Sequence, residues 1–401
     1  MKCRICTNTI EPFMSYGKMP IANGFLKPED FDKEYFFELK PAFCPHCLTF
    51  QIEDQPAPEM MFHENYAFFS RTSIHMQRHF KAYADWVCEH HLATGDSFVV
   101  EIGSNDGIML ENFAKRGIRH LGVEPSANVA EEARKHGVNT MVRFFGPESA
   151  TEIAQQYGQA DALIAANVMC HIPDMHGIAK GADVLLKQDG VLVFEDPYLG
   201  SMIEKTSYDQ IYDEHVFIFS ALSVSNIFAP YGFELIDLLK QETHGGSMRY
   251  VLARRSARPV ASVVAATLAE EKAVGLHLPK TYEQFRQACE ASKERLVRLL
   301  TEEKKSGHRI VGYGATSKST TILNYCGIGP DLVEFISDTT PIKQDKFTPG
   351  MHIPVKPYSA FSENHPDTVL LFAWNHKTEI LEKEKAFTEA GGKWLTHIEK
   401  D

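Results

Sequence analysis

The sequence predicts an α/β protein in which a Rossmann-like sheet is flanked by a small N-terminal zinc-binding module and a C-terminal second Rossmann-like domain. From about residue 75 to 255, strand patterns alternate with helical patterns, which is typical of a mostly parallel sheet. Two C-x-x-C pairs lie within the first 47 residues, and another strand, glycine turn and helix begin at Arg309. We therefore expect three blocks, over residues 1–70, 71–255 and 256–401.

The first block carries its cysteines as two C-x-x-C pairs, Cys3 with Cys6 and Cys44 with Cys47. Two such knuckles are typical of a four-thiolate zinc site. Four thiolates leave no open coordination position, so we expect the zinc to be structural rather than catalytic. Disulfides or a redox pair are the alternatives, and they are rarer in a reducing compartment.

The central block is predicted to begin with a nucleotide-binding βαβ unit. Its first strand ends in the run E-I-G-S-N-D-G, which contains Glu101, Gly103, Asn105 and Gly107, and its second strand ends at Glu124. In such units an acid about 20 residues after the glycines takes the ribose hydroxyls. The predicted elements are a helix over His75–His91, strand Ser97–Ile102, helix Ile108–Arg116, strand His120–Val123 and helix Ala127–Lys135.

The glycine turn favours one class of ligand. Gly103 and Gly107 form G-x-x-x-G rather than G-x-G-x-x-G, and Asp106 lies between them. A second acidic group would repel a pyrophosphate, so the turn favours a ligand with a positive centre and no phosphate, namely S-adenosylmethionine (SAM). The alternative is a purely structural turn, because any doubly wound sheet has one after its first strand.

Further strands and a closing hairpin complete the predicted sheet. The expected elements are strand Asp161–Ala166, helix Asp174–Leu186, strand Gly190–Asp196 and the antiparallel strands Phe233–Leu239 and Met248–Ala253. A ligand is expected at the carboxyl ends of the parallel strands.

A dense polar run lies between the two predicted sheets, at Tyr212-Asp213-Glu214-His215. A histidine can take a proton near neutral pH, a neighbouring glutamate can hold its tautomer, and a tyrosine can donate to a developing oxyanion. His171 follows the fourth predicted strand, where a substrate would meet the methyl group. A solvated helix start, which also accommodates Asp-Glu-His, is the alternative.

The third block repeats the nucleotide-site pattern with a different charge. A helical run over Tyr282–Lys305 precedes the strand Arg309–Tyr313, and the following turn holds Ser317 and Lys318 near a helix N-terminus. Free amides, the helix dipole and a lysine suit a phosphate. Strands over Leu332–Ser337 and Thr368–Ala373 complete this sheet, for which a purely structural α/β module is the alternative.

Charge and hydropathy exclude several partners. The chain has 401 residues and a formal net charge of −12, whereas nucleic-acid phosphates need a basic face. No apolar run approaches the roughly 20 residues that a membrane span requires, and the start of the sequence has no signal-peptide core. We expect a cytoplasmic protein with a small-molecule substrate and no nucleic-acid or membrane partner.

The combination of motifs resembles one family over nearly the full length. The double C-x-x-C module, the E-I-G-S-N-D-G turn, the Y-D-E-H-V run, the H-G-G-S-M-R turn over His244–Arg249 and the stretch G-Y-G-A-x-x-K resemble the deoxysugar C-methyltransferases. Those enzymes methylate C3 of nucleotide-linked 4-keto sugars, as in the mycarose and tetronitrose pathways. The resemblance implies a class I methyltransferase sheet, SAM, structural zinc, a nucleotide-diphospho-4-keto-sugar substrate and, as we expect, a monomer.

The resemblance also implies roles for individual residues. A base or proton handler maps onto His215, preceded by Glu214 and Tyr212, while His171 and a tyrosine of the zinc module, Tyr66, reach the active site. The candidate SAM-binding residues are Glu101, Gly103, Asn105, Gly107, Glu124 and Asn167. The candidate substrate-binding residues are His244, Arg249, Ser317, Lys318 and Asn375.

The expected chemistry is removal of an acidic C3 proton beside a C4 ketone, followed by methylation of the enolate. We expect His215 to be the base, His171 and Tyr212 to be oxyanion donors or proton relays, and Glu214 to orient an imidazole. The alternatives are an O- or N-methyltransferase, which needs no enolising ketone, and a non-catalytic zinc-bearing binding protein.

Overall fold

The computed structural model describes residues 1–61, 74–92 and 95–399. Its strands form a seven-stranded central sheet, a five-stranded C-terminal sheet and two small N-terminal sheets. The predicted α/β class, with a metal module before the central sheet and a second Rossmann-like sheet after it, is confirmed. None of the described helices is both long and apolar enough to cross a bilayer.

The N-terminal block consists of two antiparallel strand pairs. Its elements are β1 (Lys18–Pro20), β2 (Phe36–Glu38), β3 (Pro41–Cys44), β4 (Thr49–Ile52) and α1 (Pro58–Met61). β1 pairs with β2 and β3 pairs with β4. The second C-x-x-C knuckle forms the turn between β3 and β4, so hairpin pairing brings Cys44 and Cys47 close together.

The central sheet has the strand order expected of a class I methyltransferase. Its helices are α2 (Ile74–His91), α3 (Leu110–Ala114), α4 (Ala127–Lys135), α5 (Pro147–Tyr157), α6 (Met175–Leu185), α7 (Leu199–Lys205) and α8 (Ala221–Phe228). The strands of this block are β5 (Phe98–Ile102), β6 (Arg119–Val123), β7 (Thr140–Met141), β8 (Ala160–Ala166), β9 (Leu186–Pro197), β10 (Phe217–Ile218), β11 (Phe233–Gln241) and β12 (Ser247–Arg254). The order is β11-β12-β9-β8-β5-β6-β7, and β12 runs antiparallel to both neighbours.

Both faces of this sheet are buried, as a parallel sheet requires. Alternate residues of β5 point to opposite faces, so Val100 and Ile102 join one apolar cluster while Val99 joins another. β8 shows the same alternation, with Leu163 in the first cluster and Ile164 in the second. Burial on both faces fixes the strand ends, where the predicted ligand-binding turns begin.

The C-terminal block forms a smaller, fully parallel sheet. Its helices are α9 (Ser262–Ala273), α10 (Pro279–Lys305), α11 (Ser317–Cys326), α12 (Ser359–Ser362), α13 (Lys377–Lys383) and α14 (Lys385–Glu389). Its strands are β13 (Ile310–Tyr313), β14 (Ile336–Ser337), β15 (Val355–Lys356), β16 (Thr368–Leu371) and β17 (Lys393–Leu395). The order β15-β14-β13-β16-β17 places the turn before α11 at the carboxyl end of the middle strand.

Two predicted elements are shorter than the sequence pattern indicates. The helix expected over Ile108–Arg116 is reduced to α3, because residues 108–109 still belong to the glycine turn. The strand expected over Leu332–Ser337 is reduced to β14, because only its last two residues pair with β13.

β10 leaves the central block and joins the N-terminal one. It pairs antiparallel with β4, through Phe217 opposite Gln51 and Ile218 opposite Phe50. The amide of Ile52 also donates to the carbonyl of Val216 at 3.0 Å. The polar run that ends at His215 therefore leads directly into a strand held by the zinc module.

Gly103→Ala is expected to cost more stability than Gly117→Ala. Both glycines have left-handed backbone, with φ of +64° and +69°, which costs other residues about 1–2 kcal/mol. At Gly103 a Cβ would lie 2.5 Å from Cγ2 of Val168, whereas no described atom lies within 4 Å at Gly117. Overpacking adds about 1–3 kcal/mol, measurable by urea unfolding. Equal losses would mean that the turn relaxes around the new methyl group.

Candidate active site

A cavity of about 430 Å³ lies at the carboxyl ends of the central strands and is lined by residues of all three blocks. Its central-block lining includes Gly103, Asn105, Glu124, Asn167, His171, Tyr212, Glu214, His215 and His244. The third block contributes Thr316, Ser317, Lys318, Lys343 and Asn375, and the first contributes Asn23. The structure thus brings together most of the predicted site residues.

One wall of the cavity is built from the strand-end turns of β5, β6 and β8. Glu124 accepts hydrogen bonds from the amides of Asn105 and Ser126, at 2.9 and 2.8 Å, and burial raises the pKa of its carboxyl group. Asn105 and Asn167 have left-handed backbone, with φ of +46° and +56°. Such strained positions persist where the surrounding structure fixes them, and they cluster at ligand sites.

This wall fits the cofactor that the sequence predicts. Oδ1 of Asn167 is buried and has no hydrogen-bond partner within the described part of the chain, so a bound group can satisfy it. A carboxylate such as Glu124, held by two amides, has lone pairs left for a pair of ribose hydroxyls.

Glu101 and Gly107 do not line the cavity as described. Glu101 is buried under the turn, where burial and the charges of Asp106 and Glu124 raise its pKa well above the ordinary value. A Cβ on Gly107 would lie 2.9 Å from Val138. Neither residue lines the cavity, and their predicted contact with the cofactor stays a prediction.

Tyr212 and His215 form a hydrogen-bonded pair at the cavity. The hydroxyl of Tyr212 lies 2.8 Å from Nε2 of His215, and the carbonyl of Gln210 lies 2.7 Å from Nδ1. A carbonyl only accepts, so Nδ1 carries the proton and Nε2 accepts from Tyr212. Burial lowers the pKa of His215 well below its ordinary value, which keeps the ring neutral and able to take a proton.

His171 stacks on His215, with ring centroids 5.3 Å apart. Glu214 does not hold either ring nitrogen of His215, contrary to the role predicted for it. Its Oε1 instead accepts from Nδ2 of Asn23 at 2.7 Å, and the positive charge of Lys343 opposes the rise in its pKa that burial causes. The tautomer of His215 is set by a backbone carbonyl, which no residue pattern reveals.

The opposite wall comes from the third block and is cationic. Lys318, at the start of α11, is buried and donates to the carbonyl of His244 at 3.3 Å. Burial lowers its pKa, while the charge of Asp209 opposes that shift. Lys343 is a second cation on the cavity and was missed by the sequence analysis, because it ends a short 3-10 helix, Pro341–Lys343, that carries no motif. Ser317 and Asn375 line the same wall, as predicted positions for substrate contacts.

His244 has left-handed backbone, with φ of +55°. Its Nε2 is buried without a hydrogen-bond partner among the described residues, and burial lowers its pKa to about 3. A neutral imidazole with an unused nitrogen therefore faces the cavity.

Arg249 does not reach the cavity, which corrects its predicted role in substrate binding. Residue 249 lies opposite Glu195 in the β12–β9 pair, and its guanidinium donates to that carboxylate at 2.8 and 3.1 Å. The guanidinium also lies 3.8 Å from the ring centroid of Tyr83. Arg249 is a buried structural cation. Tyr66, the remaining predicted catalytic residue, lies outside the described residues.

The four cysteines of the first block converge, with all four Sγ atoms within 4.8 Å of one another. Cys3 and Cys47 are 3.5 Å apart and Cys6 and Cys44 are 3.4 Å apart, against about 3.8 Å for a zinc tetrahedron with bonds of about 2.3 Å. Gln51 and Asn8 donate N–H bonds to the sulfurs of Cys3 and Cys6. The arrangement fits zinc with its supporting hydrogen bonds already formed.

Acid is expected to destabilise the protein partly through His171. Burial lowers the pKa of His171 from 6.5 to about 4, so between these values the unfolded chain binds a proton that the folded chain does not. The free energy of unfolding therefore falls as pH drops through this window. His171→Asn should make the fall between pH 7 and pH 5 less steep in urea unfolding, whereas the exposed His365→Asn should not. Identical slopes in both variants and the parent would contradict this.

Comparisons with known families agree with the three blocks. A family described as "Putative zinc binding domain" matches residues 3–62, a methyltransferase domain family matches residues 76–238, and a C-methyltransferase C-terminal domain family matches residues 242–398.

Individual relatives differ in how much of the chain they cover. C-methyltransferase NovU of Streptomyces niveus is 33% identical over 400 residues, covering 99% of this chain and 95% of that protein. A ubiquinone biosynthesis O-methyltransferase of Acinetobacter baylyi is 30% identical over 113 residues, covering 27% of this chain and 48% of that protein. The solved magnesium protoporphyrin IX methyltransferase of Synechocystis PCC 6803 covers 44% of this chain and 83% of its own, with 16% identity and a TM-score of 0.36.

The similarity to NovU decides between these relatives, because it spans nearly all of both chains. The third block adds a match to a family described as a C-methyltransferase C-terminal domain. The chain therefore belongs to the C-methyltransferase family, and it is a SAM-dependent enzyme that carries a zinc-binding module.

Proposed function

We propose that this enzyme methylates C3 of a nucleotide-linked 4-keto deoxysugar, through an enolate formed by loss of the C3 proton. The observation that carries the proposal is the joint lining of one cavity by three kinds of group. These are the strand-end turns with Glu124, the Tyr212–His215 pair, and Lys318 at the N-terminus of α11. A sugar whose diphosphate is bound by Lys318 would lie between that lysine and the methyl group of SAM, beside the Tyr212–His215 pair.

The cofactor belongs on the wall formed by Gly103, Asn105, Glu124 and Asn167. Glu124 accepts the ribose hydroxyls, since its two backbone hydrogen bonds already fix its orientation. When bound, SAM supplies an electrophilic methyl group on a sulfonium that is its own leaving group. The backbone at Gly103, which leaves no room for a Cβ, allows close approach at the end of β5.

Proton removal falls to Tyr212 and His215 acting together. Nε2 of His215 is the basic nitrogen, and it is occupied by the Tyr212 hydroxyl at 2.8 Å. A proton from C3 therefore passes to the Tyr212 oxygen as the phenolic proton moves to Nε2. Nδ1 stays bonded to the Gln210 carbonyl, which stabilises the imidazolium. His171, stacked on His215 and lining the cavity, is placed to donate to the enolate oxygen.

The substrate's diphosphate belongs on the cationic wall. Lys318 and Lys343 line it, and the N-terminal amides of α11 add the positive end of a helix dipole. This wall lies on a different sheet from the cofactor turns, so the sugar between them spans the cavity. Methylation of an oxygen or nitrogen would use the same walls but would not need a proton acceptor for a carbon acid.

Glu124→Ala is expected to weaken SAM binding. Charge-assisted hydrogen bonds from two ribose hydroxyls are worth roughly 1.5–3 kcal/mol, or about 10- to 150-fold in Kd. Calorimetric titration with SAM measures the loss, and the exposed Glu131→Ala on α4 is the matched control. Affinities equal within about twofold would place the ribose elsewhere.

His215→Ala is expected to abolish both methyl transfer and SAM-independent exchange of the C3 hydrogen with solvent deuterium, while SAM affinity stays near wild type. A general base contributes roughly 10²–10⁴-fold, so the loss should be at least about a hundredfold. Because the hydroxyl lies on Nε2, Tyr212→Phe should also slow exchange strongly, and His171→Asn should cost less. Exchange is followed by mass spectrometry of a dTDP- or GDP-linked 4-keto sugar.

Two outcomes of this series would contradict the proposal at different levels. If C3 hydrogen exchange persists in His215→Ala and stops in His171→Asn, then His171 is the base and His215 is the donor. Absence of exchange in the wild-type enzyme with every 4-keto sugar tested, together with methylation of an oxygen or nitrogen, would overturn the enolate chemistry itself.

A further inference from the structure

We propose that the zinc module is the positioning frame of the Tyr212–His215 segment, and that Gln51 is the positioning residue that links the metal site to it. The inference rests on the proposed function only for the statement that this segment is catalytic. Its structural part concerns which residues hold the segment in place.

Gln51 contacts both the metal site and the strand after His215. The residue is fully buried; its Nε2 donates to Sγ of Cys3 at 3.1 Å and its Oε1 accepts from the amide of Arg4 at 2.8 Å. Its backbone lies opposite Phe217 in the β4–β10 pair. One side chain and its own strand thus connect a zinc ligand to a residue two positions beyond His215.

Among the described strands, β4 supplies the backbone ladder of β10. β10 is two residues long, with the Ile52 amide bonded to the Val216 carbonyl beside it, and its side chains Phe217 and Ile218 are fully buried in the apolar core. Short strands need a partner to be ordered in water. The backbone pairing of β10 therefore depends on β4, which begins two residues after Cys47.

Three further contacts from the first block hold the same region. The amide of Ala22 donates to Asp213 at 3.0 Å, and Nδ2 of Asn23 donates to Glu214 at 2.7 Å. Nε2 of Gln55 donates to the carbonyl of His171 at 3.3 Å. The zinc module therefore contacts the backbone or side chains around both candidate histidines.

The cofactor wall is held differently. Glu124 is bonded to Asn105 and Ser126, and the amide of Gly103 is bonded to the carbonyl of Val123, all within the central block. Loss of zinc should therefore loosen the segment over residues 212–219 and leave the turn over residues 98–107 in place.

Hydrogen exchange of the full chain, read by mass spectrometry, tests this without any substrate. Zinc is withdrawn with a chelator, and exchange is compared in peptides covering residues 212–219 and 98–107. Exchange in 212–219 is expected to accelerate at least about tenfold, while 98–107 changes less than about twofold, since local opening is measured separately from global unfolding. Added zinc should restore the protection, and the SAM affinity of the stripped protein should stay within about twofold of wild type.

Gln51→Glu probes the link with zinc still present. The variant keeps an acceptor for the Arg4 amide but replaces the N–H donor to Cys3 with a carboxylate oxygen. Gln159→Glu is the matched control, because the exposed Gln159 also donates to carbonyls, those of Val184 and Leu186, away from the module. Faster exchange in 212–219 and a lower kcat are expected for Gln51→Glu alone, with the Kd for SAM unchanged.

The remaining outcomes overturn the inference. Acceleration of both peptides alike would make zinc a support of the whole chain, and acceleration of neither would make the segment independent of the metal. These hydrogen-exchange measurements do not need the sugar substrate. Failure of the proposed function, with no exchange at C3 in wild-type enzyme, is therefore distinguishable from failure of the positioning frame.

Discussion

The rest of the structure depends on the burial of an ionisable run between three blocks of chain. Asp213, Glu214 and His215 are each no more than 4% exposed, and buried charges are costly unless they are paired and hydrogen-bonded. No one block supplies all the partners: Asn23 comes from the zinc module, Gln210 from the central block and Lys343 from the third. The three blocks must therefore pack together before this run can be satisfied, and the cavity beside it forms as a consequence.

The same burial shifts the pKa values of the groups around the cavity. Burial lowers the pKa of His215 and raises that of Glu214, and it also lowers the pKa values of Lys318 and Lys343, whose charges act on these two residues. Neutral imidazoles can accept a proton, and cations that have lost much of their hydration attract an anionic ligand more strongly. In the proposed reaction, the neutral imidazole serves the carbon acid and the lysines serve the diphosphate.

Local pattern was sufficient to predict most of the central sheet, because its strands and the helices α2, α4 and α6 are long and regularly patterned. α8 was not predicted, because six of its eight residues are buried and Ser225 and Asn226 alone are too few to mark a polar face. The residues of the candidate site divide in the same way, into those that local sequence identifies and those whose contacts depend on packing. Glu124 directly follows a recognisable strand, and Lys318 lies in the first turn of the helix after a recognisable glycine turn. The burial of Glu101, the pairing of Arg249 with Glu195 and the contacts of Gln51 instead follow from tertiary packing that spacing does not encode.

The proposed enolate chemistry requires that water be kept from the base while two ligands enter the cavity. The zinc module is small, and it is fixed both by its cluster of four cysteines and by apolar packing, since Phe50 and Ile52 are fully buried in the main core. Its hairpin extends to β10 and its Ala22–Asn23 segment bonds to Asp213 and Glu214, so the module lies directly beside the proposed base. The cofactor turns remain on the central sheet. In the proposed arrangement, the zinc module positions the base and the central sheet positions the cofactor, so the two can be positioned independently.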